Sequence, residues 1–460
     1  MPTPVEFAET HRARFESELS DLLRIPSVST LPEHRDDTRR AAHWVAEYLR
    51  SMDLPVELIE TVGYPLVYAE WLGAPDRPTL LGYGHYDVQP VDPLDQWTSP
   101  PFQPTLRDGR VFARGAADDK GQFLTLIAAM RAYLQTAGRL PVNIKLLIEG
   151  EEESGGTEIA AYVSSHADRL RADACLVLDS GMFAPGVPAI TLGLRGIVGA
   201  EIEVSGPARD LHSGGYGGVA PNPFQALAEI ITGLKDTHGH ILIPGFYDRV
   251  VRPPGEETDG WKRLPFDEAA FLREEVGAVA LTGEPGYTAL ERMWARPTLE
   301  IHGMPGGFTG AGSKTVIPAQ ASAKISMRLV ANQRPDEIIE AFESHVRTIT
   351  PRGVRVKVKR LGTGGGAPPV VISPHSPAIT AAQRALTEGF GRDAVFVRAG
   401  GSVPIVSEFG GRLGLPVIVT GWSLPDANLH SPNESLDLEH FHKGIGAVMR
   451  LFEHLGRIAK

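Results

Sequence analysis

Apolar side chains alternate between helical and strand-like spacing through the first part of the chain. They recur on one helix face over 41–49 and then form a short apolar run over 79–83. The alternation continues with a helix predicted over 122–134, a strand over 143–148 and a nearly all-apolar strand that ends at Asp179. Strands that are apolar on both faces are typical of parallel sheets covered by helices. The pattern therefore predicts an α/β domain.

The pattern changes at Gly196, where apolar residues begin to alternate with small or polar ones. This period of two covers 198–204 and returns over 321–329 and 354–358, and helical spacing marks 335–348. Alternation of this kind indicates strands with one buried face and one face in water. A second, α+β domain is therefore predicted to begin near Gly196.

A glycine tract at 362–366, followed by two prolines, indicates a hinge that returns the chain to the first domain. An apolar strand and a closing helix, with apolar positions from Phe441 to Leu455, come after it. We therefore expect a split α/β domain made of residues 1–195 and 365–460, with a mainly parallel sheet flanked by helices. Residues 196–364 would form an inserted α+β domain.

Composition and charge limit the cellular compartment and the classes of partner that we expect. The chain has 460 residues, more than one hydrophobic core usually supports, which agrees with two domains. Its net charge of −11 is spread without a basic block, so neither nucleic acid nor a membrane surface is an expected partner. We find neither a leader pattern after Met1 nor an apolar stretch near the ~20 residues of a membrane span. A single cysteine, Cys175, excludes an internal disulfide and indicates a reducing compartment, so we expect a cytoplasmic protein.

Metal-binding side chains gather where the predicted strands end. Such strand ends form the sites of α/β proteins, so we expect these residues to lie close together. Imidazoles and carboxylates without a thiolate suit a hard-to-borderline divalent metal. The candidates are His85, Asp87, Asp118, Asp119, Glu152, Glu153, Asp179 and His430.

Each candidate also has an ordinary structural explanation when it is taken alone. His85 could be a hydrogen-bonded histidine at a strand end, and Asp118-Asp119 could cap the helix that follows. The combination favours a metal site instead. Asp87, two residues from His85 on an extended strand, could orient a ligating imidazole. Asp118 could bridge two metals about 3.5–4 Å apart through its two oxygens, which indicates a dinuclear hydrolase.

The ordered motifs resemble the co-catalytic zinc metallopeptidases, which include carnosinases, aminoacylases and succinyl-diaminopimelate desuccinylases. The residues that carry this resemblance are Gly84 to Pro90, Asp118 to Gly121, Glu152 to Gly155, Asp179 and His430 to Glu434. Further segments resemble the carnosinase and cytosolic nonspecific dipeptidase branch. They are Arg209 to Gly218, Lys314 to Pro318, Met327 to Val330 and Gly400 to Ile405.

The resemblance implies a dinuclear site with two Zn²⁺ per subunit, for which Mn²⁺ or Co²⁺ are alternatives. It implies that Glu152 is the general base and that Asp87 is the partner of His85. It also implies a cis peptide between Asp118 and Asp119. The implied ligands are His85, Asp118 and Asp179 for one metal, and Asp118, Glu153 and His430 for the other.

The resemblance also implies that the insert is a lid and dimerisation domain. His212 would come from the other subunit of a homodimer and stabilise the tetrahedral oxyanion. Arg328 would bind the C-terminal carboxylate of the substrate. Further polar substrate contacts are implied for Thr315, Gly401, Ser402 and His430.

Three functions remain open from the sequence. The leading hypothesis is a metal-dependent dipeptidase that hydrolyses the amide bond of dipeptides or short peptides with a metal-bridged hydroxide and a glutamate base. The alternative is an N-acyl-amino-acid deacylase, desuccinylase or carbamoyl-amino-acid hydrolase that uses the same site. A catalytically silent metal-dependent binding protein is disfavoured, because every ligand position and Glu152 are present.

Overall fold

The computed structural model describes residues 2–361 and 366–458 and divides into two compact units. The first unit comprises Met1–Leu192, Ile372–Val397 and Ile405–Lys460, and the insert unit comprises Gly193–Val371 and Arg398–Pro404. Apart from Gly366, the predicted hinge lies outside the described residues, as does the predicted boundary at 364/365. The lid and dimerisation roles of the insert stay predictions.

The strands are short and are spread over both units. In chain order they are β1 (Val56–Ile59), β2 (Leu66–Trp71), β3 (Thr79–His85), β4 (Thr105–Arg107), β5 (Arg110–Phe112), β6 (Asn143–Glu149), β7 (Ala174–Val177), β8 (Ala189–Leu194), β9 (Gly196–Ser205), β10 (Leu211–His212), β11 (Thr298–Gly303), β12 (Val316–Ile317), β13 (Gln320–Leu329), β14 (Arg355–Leu361), β15 (Val370–Val371), β16 (Val395–Ala399), β17 (Val417–Val419) and β18 (Ser435–Asp437).

Helices separate most of these strands. They are α1 (Pro4–Thr10), α2 (Arg12–Leu23), α3 (Arg35–Arg50), α4 (Lys120–Ala137), α5 (Glu158–Ser165), α6 (Ser213–Tyr216), α7 (Pro223–Thr232), α8 (Gly255–Lys262), α9 (Glu268–Ala270), α10 (Ala289–Ala295), α11 (Pro335–Ile349), α12 (Pro377–Phe390), α13 (Pro404–Ser407) and α14 (Leu438–Gly456). None of the helices that the structure describes combines the length and the apolar character needed to cross a bilayer.

The main sheet of the first unit has six strands in the order β1-β2-β6-β3-β7-β17. Strand β3 runs parallel to β6 and β7, and β17 runs parallel to β7, whereas β2 runs antiparallel to both of its neighbours, β1 and β6. The predicted mainly parallel sheet is therefore confirmed. In the β3–β6 register His85 lies opposite Glu149, so both strands end at the same edge of the sheet. That edge carries the candidate ligands.

Helix α4 is the best-buried helix beside this sheet. It contains the predicted helix over 122–134, and its residues from Lys120 to Tyr133 are buried. The helix ends at Gly138, which takes the left-handed conformation (φ 66°) that glycine adopts without a steric penalty. The carbonyl of Asp119 accepts N–H groups from the first turn of α4, those of Gln122 and Phe123, and its carboxylate accepts the N–H of His85 at 3.1 Å, which holds this segment at the sheet edge.

The insert unit contains an antiparallel sheet in the order β11-β13-β9-β14. Side chains along β9 alternate strictly between buried and half-buried, as the period of two predicted. Helices α7 and α11 cover the buried face, where Phe342 joins Ile202 and Ile325 in one hydrophobic core. The predicted α+β character of the insert is confirmed.

Candidate metal centre

Two groups of potential metal ligands meet in the first unit, and they share Asp118. In each group one ligand atom per residue lies within 4.8 Å of the others. The structure therefore brings together all five residues that the resemblance implies as ligands. The groups are His85, Asp118 and Asp179, and Asp118, Glu153 and His430.

The Asp118 carboxylate lies between two imidazoles. Its Oδ1 is 3.0 Å from Nε2 of His85, and its Oδ2 is 3.0 Å from Nε2 of His430. His430 Nε2 also lies 3.3 Å from Oε1 of Glu153. Each oxygen of Asp118 thus faces a different histidine, which is the arrangement that a carboxylate shared by two cations needs. The donor set of imidazole nitrogens and carboxylate oxygens fits Zn²⁺, Mn²⁺ or Co²⁺.

A buried glutamate fixes the loop that presents Asp118. Glu434 Oε1 accepts the backbone N–H groups of Ala117 (2.8 Å) and Asp118 (3.0 Å). Its Oε2 accepts the N–H of Gly115 at 3.0 Å and Nη1 of Arg114 at 2.8 Å. The Glu434 and Arg114 side chains are 0% and 1% exposed. The cis peptide implied between Asp118 and Asp119 is present in this loop.

The sequence assigned no role to Glu434, although it is the last residue of the motif that begins at His430. Its position four residues after a candidate ligand was the available signal. The backbone turn between them includes His430 and Asn433, which both take positive φ angles (57° and 63°). The Asn433 side chain fixes this turn by accepting the N–H of Thr98 and donating to the carbonyl of Gln96.

Asp87 contacts His85 with its backbone as well as its carboxylate. Nδ1 of His85 lies 3.1 Å from the Asp87 carbonyl oxygen and 3.4 Å from Oδ1. The other oxygen of Asp87 accepts Ser29 Oγ at 2.6 Å and the backbone N–H of Glu153 at 3.1 Å. Asp87 therefore positions a residue from each ligand group, a link that the sequence did not predict.

The carboxyl groups of the site are crowded and buried, and this shifts their proton affinities. Burial raises the pKa of Asp179 to about 7, and the charge of Asp118 adds to the shift. Burial also raises the pKa of Glu152 well above its usual value. Hydrogen bonds with Asp118 and Glu153 raise the pKa of His430 to about 10. Such clusters are typical of functional sites, because a bound cation relieves the repulsion.

The remaining predicted site residues belong to the insert unit and form two clusters there. His212 is exposed, and its Nδ1 accepts the N–H groups of Gly214 (3.0 Å) and Gly215 (3.2 Å), so the neutral ring carries its proton on Nε2. Strand β10 pairs with β12, and the Thr315 carbonyl accepts the N–H of Ser213 at 3.0 Å, next to His212.

The second cluster contains Arg328. Its Nη1 donates to Ser402 Oγ at 2.9 Å, and Gly401 adjoins that serine. The structure thus groups His212 with Thr315, and Arg328 with Gly401 and Ser402.

Comparison with known proteins agrees with this architecture. Residues 81–454 match the model of peptidase family M20/M25/M40. The Cys-Gly metallodipeptidase dug1 of Schizosaccharomyces pombe is 32% identical over 458 residues, covering 96% of this chain and 95% of that protein. Human carnosine dipeptidase 1 superposes with a TM-score of 0.85 at 28% identity, covering 99% of this chain and 98% of the other.

A second solved structure is equally similar. An M20 family metallo-carboxypeptidase from Sulfolobus solfataricus has a TM-score of 0.86 at 31% identity, covering 96% of this chain and 99% of the other. These matches confirm the resemblance and the fold class that the motifs predicted. The chain belongs to peptidase family M20/M25/M40.

Proposed function

We propose that this chain is a metal-dependent dipeptidase. The observation that carries the proposal is the Asp118 carboxylate, which faces His85 with one oxygen and His430 with the other. The fungal relative and the human structure are named as a metallodipeptidase and a dipeptidase, which supports this choice within the family.

The proposed cofactor is a pair of Zn²⁺ ions. His85, Asp118 and Asp179 would hold one ion, and Asp118, Glu153 and His430 the other. When bound, the metals would polarise the scissile carbonyl and acidify the attacking water. Asp87 would keep both ligand groups in place through His85 and the Glu153 backbone.

Glu152 is the proposed general base. Its buried carboxyl has a raised pKa, so it binds a proton more readily than an exposed glutamate. It would take a proton from the attacking water and return it to the leaving amine, a contribution typically worth about 10²–10⁴-fold in rate.

The insert residues are proposed to recognise the substrate. Arg328 would bind the free C-terminal carboxylate, with Gly401, Ser402, Thr315 and the first-unit residue His430 adding polar contacts. His212, which carries its proton on Nε2, would donate to the oxyanion as a residue of the second chain in a homodimer. Cytoplasmic location stays a proposal too, and the single buried cysteine, Cys175, supports it.

Two other substrate classes would use the same site. The deacylase or carbamoylase hypothesis keeps the metals and changes the acyl group. The similarity to a metallo-carboxypeptidase favours a further alternative, in which the enzyme removes C-terminal residues from longer peptides. Both alternatives retain the roles of Asp118 and Glu152.

A substrate panel separates these functions. The chain would be stripped with a chelator, reloaded with zinc or manganese, and assayed for release of amino acids. Dipeptides, tripeptides and longer peptides would be compared with N-acetyl- and N-carbamoyl-amino acids. Metal-dependent cleavage that favours dipeptides is the expected result. Preference for acylated amino acids or for long peptides would select an alternative, and metal binding without turnover would indicate a binding protein.

A further inference from the structure

Two arginines of the insert unit are joined through Ser402. Arg328 donates Nη1 to Ser402 Oγ at 2.9 Å, and this hydroxyl donates to the backbone carbonyl of Arg195 at 2.5 Å. Arg195 in turn donates its backbone N–H to the Gly401 carbonyl (3.1 Å) and its Nε to the Gly400 carbonyl (2.9 Å). Residues 400–402 therefore fix the position of both arginines.

Gly400 allows the Arg195 side chain to lie against the backbone. A Cβ atom at this position would be 2.9 Å from Nη2 of Arg195 and 3.2 Å from the carbonyl oxygen of Met293. A side chain on residue 400 would displace the guanidinium. The absence of a side chain at Gly400 thus leaves room for the Arg195 guanidinium.

Neither arginine has a carboxylate partner among the described residues. Arg195 donates to main-chain oxygens of Gly400 and Arg296, and Arg328 donates to Ser402. Burial lowers the pKa of Arg195 to about 10; the like charge of Arg328 adds to the shift, and the opposite charge of Glu300 partly opposes it. Two half-buried cations of the same sign are costly to keep without a counterion. An anion bound beside these arginines would offset this cost.

Arg195 also lines a cavity of about 690 Å³ within the insert unit. Its volume falls within the ~300–1,000 Å³ range of small-molecule sites. The charged residues of its lining are Arg195, Lys235, Arg292, Arg296, Asp236, Glu284 and Glu300.

The acids of this cavity are already engaged. Glu284 forms an ion pair with Arg296, and Glu300 lies 3.2 Å from Lys235. Asp236 accepts the backbone N–H groups of His238 and His240 in its own loop. The charges outside these two ion pairs are the cations Arg195 and Arg292 and the anion Asp236, so the lining keeps an excess of positive charge only because it includes Arg195.

We propose that Arg195 is a second carboxylate-binding residue beside Arg328. The ligand is a small molecule with a free carboxylate, which is either a dipeptide or the amino acid released from it. This choice of ligand rests on the proposed function, whereas the anion site itself does not. Arg195 raises the affinity for the carboxylate end, and Gly400 keeps the guanidinium available.

The test is a binding measurement on the metal-free full chain, so its result does not depend on hydrolysis. Isothermal titration would compare glycylglycine, glycine and glycylglycine amide, which lacks the carboxylate. Arg195→Gln should weaken glycylglycine binding about tenfold, in line with the loss of one charge-assisted hydrogen-bonded contact, and leave the amide unaffected. Arg195→Lys should fall between, because it keeps the charge and loses the planar fork.

Two controls keep this test decisive. Arg263→Gln removes the same charge from an exposed position of the same unit and should not change binding. Gly400→Ala keeps the arginine at position 195 but should displace its guanidinium, so it should weaken binding as well. Thermal unfolding would verify that each variant is folded. If Arg195→Gln weakens the binding of both glycine and glycylglycine, the site accepts product and substrate. If it weakens the binding of glycylglycine alone, the site is specific for substrate.

The inference is overturned if Arg195→Gln binds glycylglycine as tightly as Arg263→Gln does. It is also overturned if the unaltered chain does not distinguish glycylglycine from its amide. If the metal-loaded enzyme fails to cleave dipeptides while the carboxylate binding depends on Arg195, the proposed function is wrong and the anion site stands.

Discussion

The carboxylate of Glu434 accepts the backbone N–H of Asp118 at 3.0 Å, across 316 residues of sequence. The same carboxylate accepts two further N–H groups of the loop, and Arg114 neutralises its charge in a fully buried pair. Because Glu434 follows His430 in one short turn, this contact connects the two sequence segments that carry the candidate ligands Asp118 and His430. The buried pair thus stabilises the metal centre without contacting a ligand side chain.

Replacing Glu434 should lower both the stability of the fold and the affinity for metal. Glu434→Ala leaves Arg114 buried without a counterion, so we expect a loss of about 3–5 kcal/mol in the free energy of unfolding. Glu434→Gln keeps one acceptor oxygen and the shape, and should weaken metal binding about 10–100-fold, as outer contacts of metal sites do. Competition with a fluorescent chelator would measure the affinity. The matched control is Glu439→Gln, an exposed position of α14; equal metal affinity in both Gln variants would contradict the prediction.

The sequence predicted the elements of the fold better than the contacts of the site. Periodicity located strand β9 and helix α11, because burial alternates along a strand and recurs along a helix whatever lies far away in sequence. It could not show that Arg114 and Glu434, 320 residues apart, form one buried pair. The sequence also could not show that the segment Arg398–Pro404 belongs to the insert unit. Its contact there is with Arg195, which is distant in the chain.

The motifs were more informative for ligands than for the residues that hold them. Each candidate ligand is of a residue type that binds metals, and the resemblance of the motifs to the co-catalytic metallopeptidases implied which five of the candidates would be ligands. Asp87 shows the limit of such reasoning. Its link to Glu153 uses a backbone N–H, which every residue but proline has, and residue type carries no signal for it.

The shared position of Asp118 predicts a distinct metal count for each ligand variant. Asp179→Asn removes a ligand from one group only, and Glu153→Gln from the other, so each variant should retain about one metal per chain instead of two. Asp118→Asn affects both groups and should retain the least. Elemental analysis after dialysis against trace zinc would count the ions. Asp108→Asn, at an exposed turn, should keep the full count. Equal loss in Asp118→Asn and Asp179→Asn would exclude a shared ligand.

The metal-free chain should lose stability as the pH rises because of Glu149. Burial raises the pKa of this carboxyl from its usual 4.5 to about 8; the charge of Asp87 adds to the shift, and the Tyr83 hydroxyl, which donates to Oε1 at 2.7 Å, opposes it. Because the pKa is raised in the folded state, the protonated carboxyl contributes to the free energy of unfolding. This contribution is fully present below pH 4.5 and is lost as the pH rises through 8. The loss is at most about 5 kcal/mol.

Glu149→Gln isolates this effect, since the amide stays neutral and its oxygen still accepts from Tyr83. Urea unfolding of the metal-free variant should give a flatter dependence on pH between 5 and 8 than the unaltered chain, and a higher free energy of unfolding at pH 8. Glu47→Gln, an exposed position of α3, serves as the control and should keep the original slope. Parallel profiles for the unaltered chain and Glu149→Gln would show that the carboxyl ionises without cost.

Glu152 tests the proposed chemistry most directly. Glu152→Gln keeps the size of the side chain and removes the group that takes the proton, so kcat should fall by about 10²–10⁴-fold. Since Glu152 is in neither ligand group, the variant should still bind two metals per chain. The adjacent Glu151→Gln is the matched control, because burial raises its pKa too but no role in the reaction is assigned to it. Steady-state kinetics with a dipeptide, together with elemental analysis of the same samples, would separate loss of chemistry from loss of metal. Near-normal kcat in a fully metal-loaded Glu152→Gln would exclude Glu152 as the base.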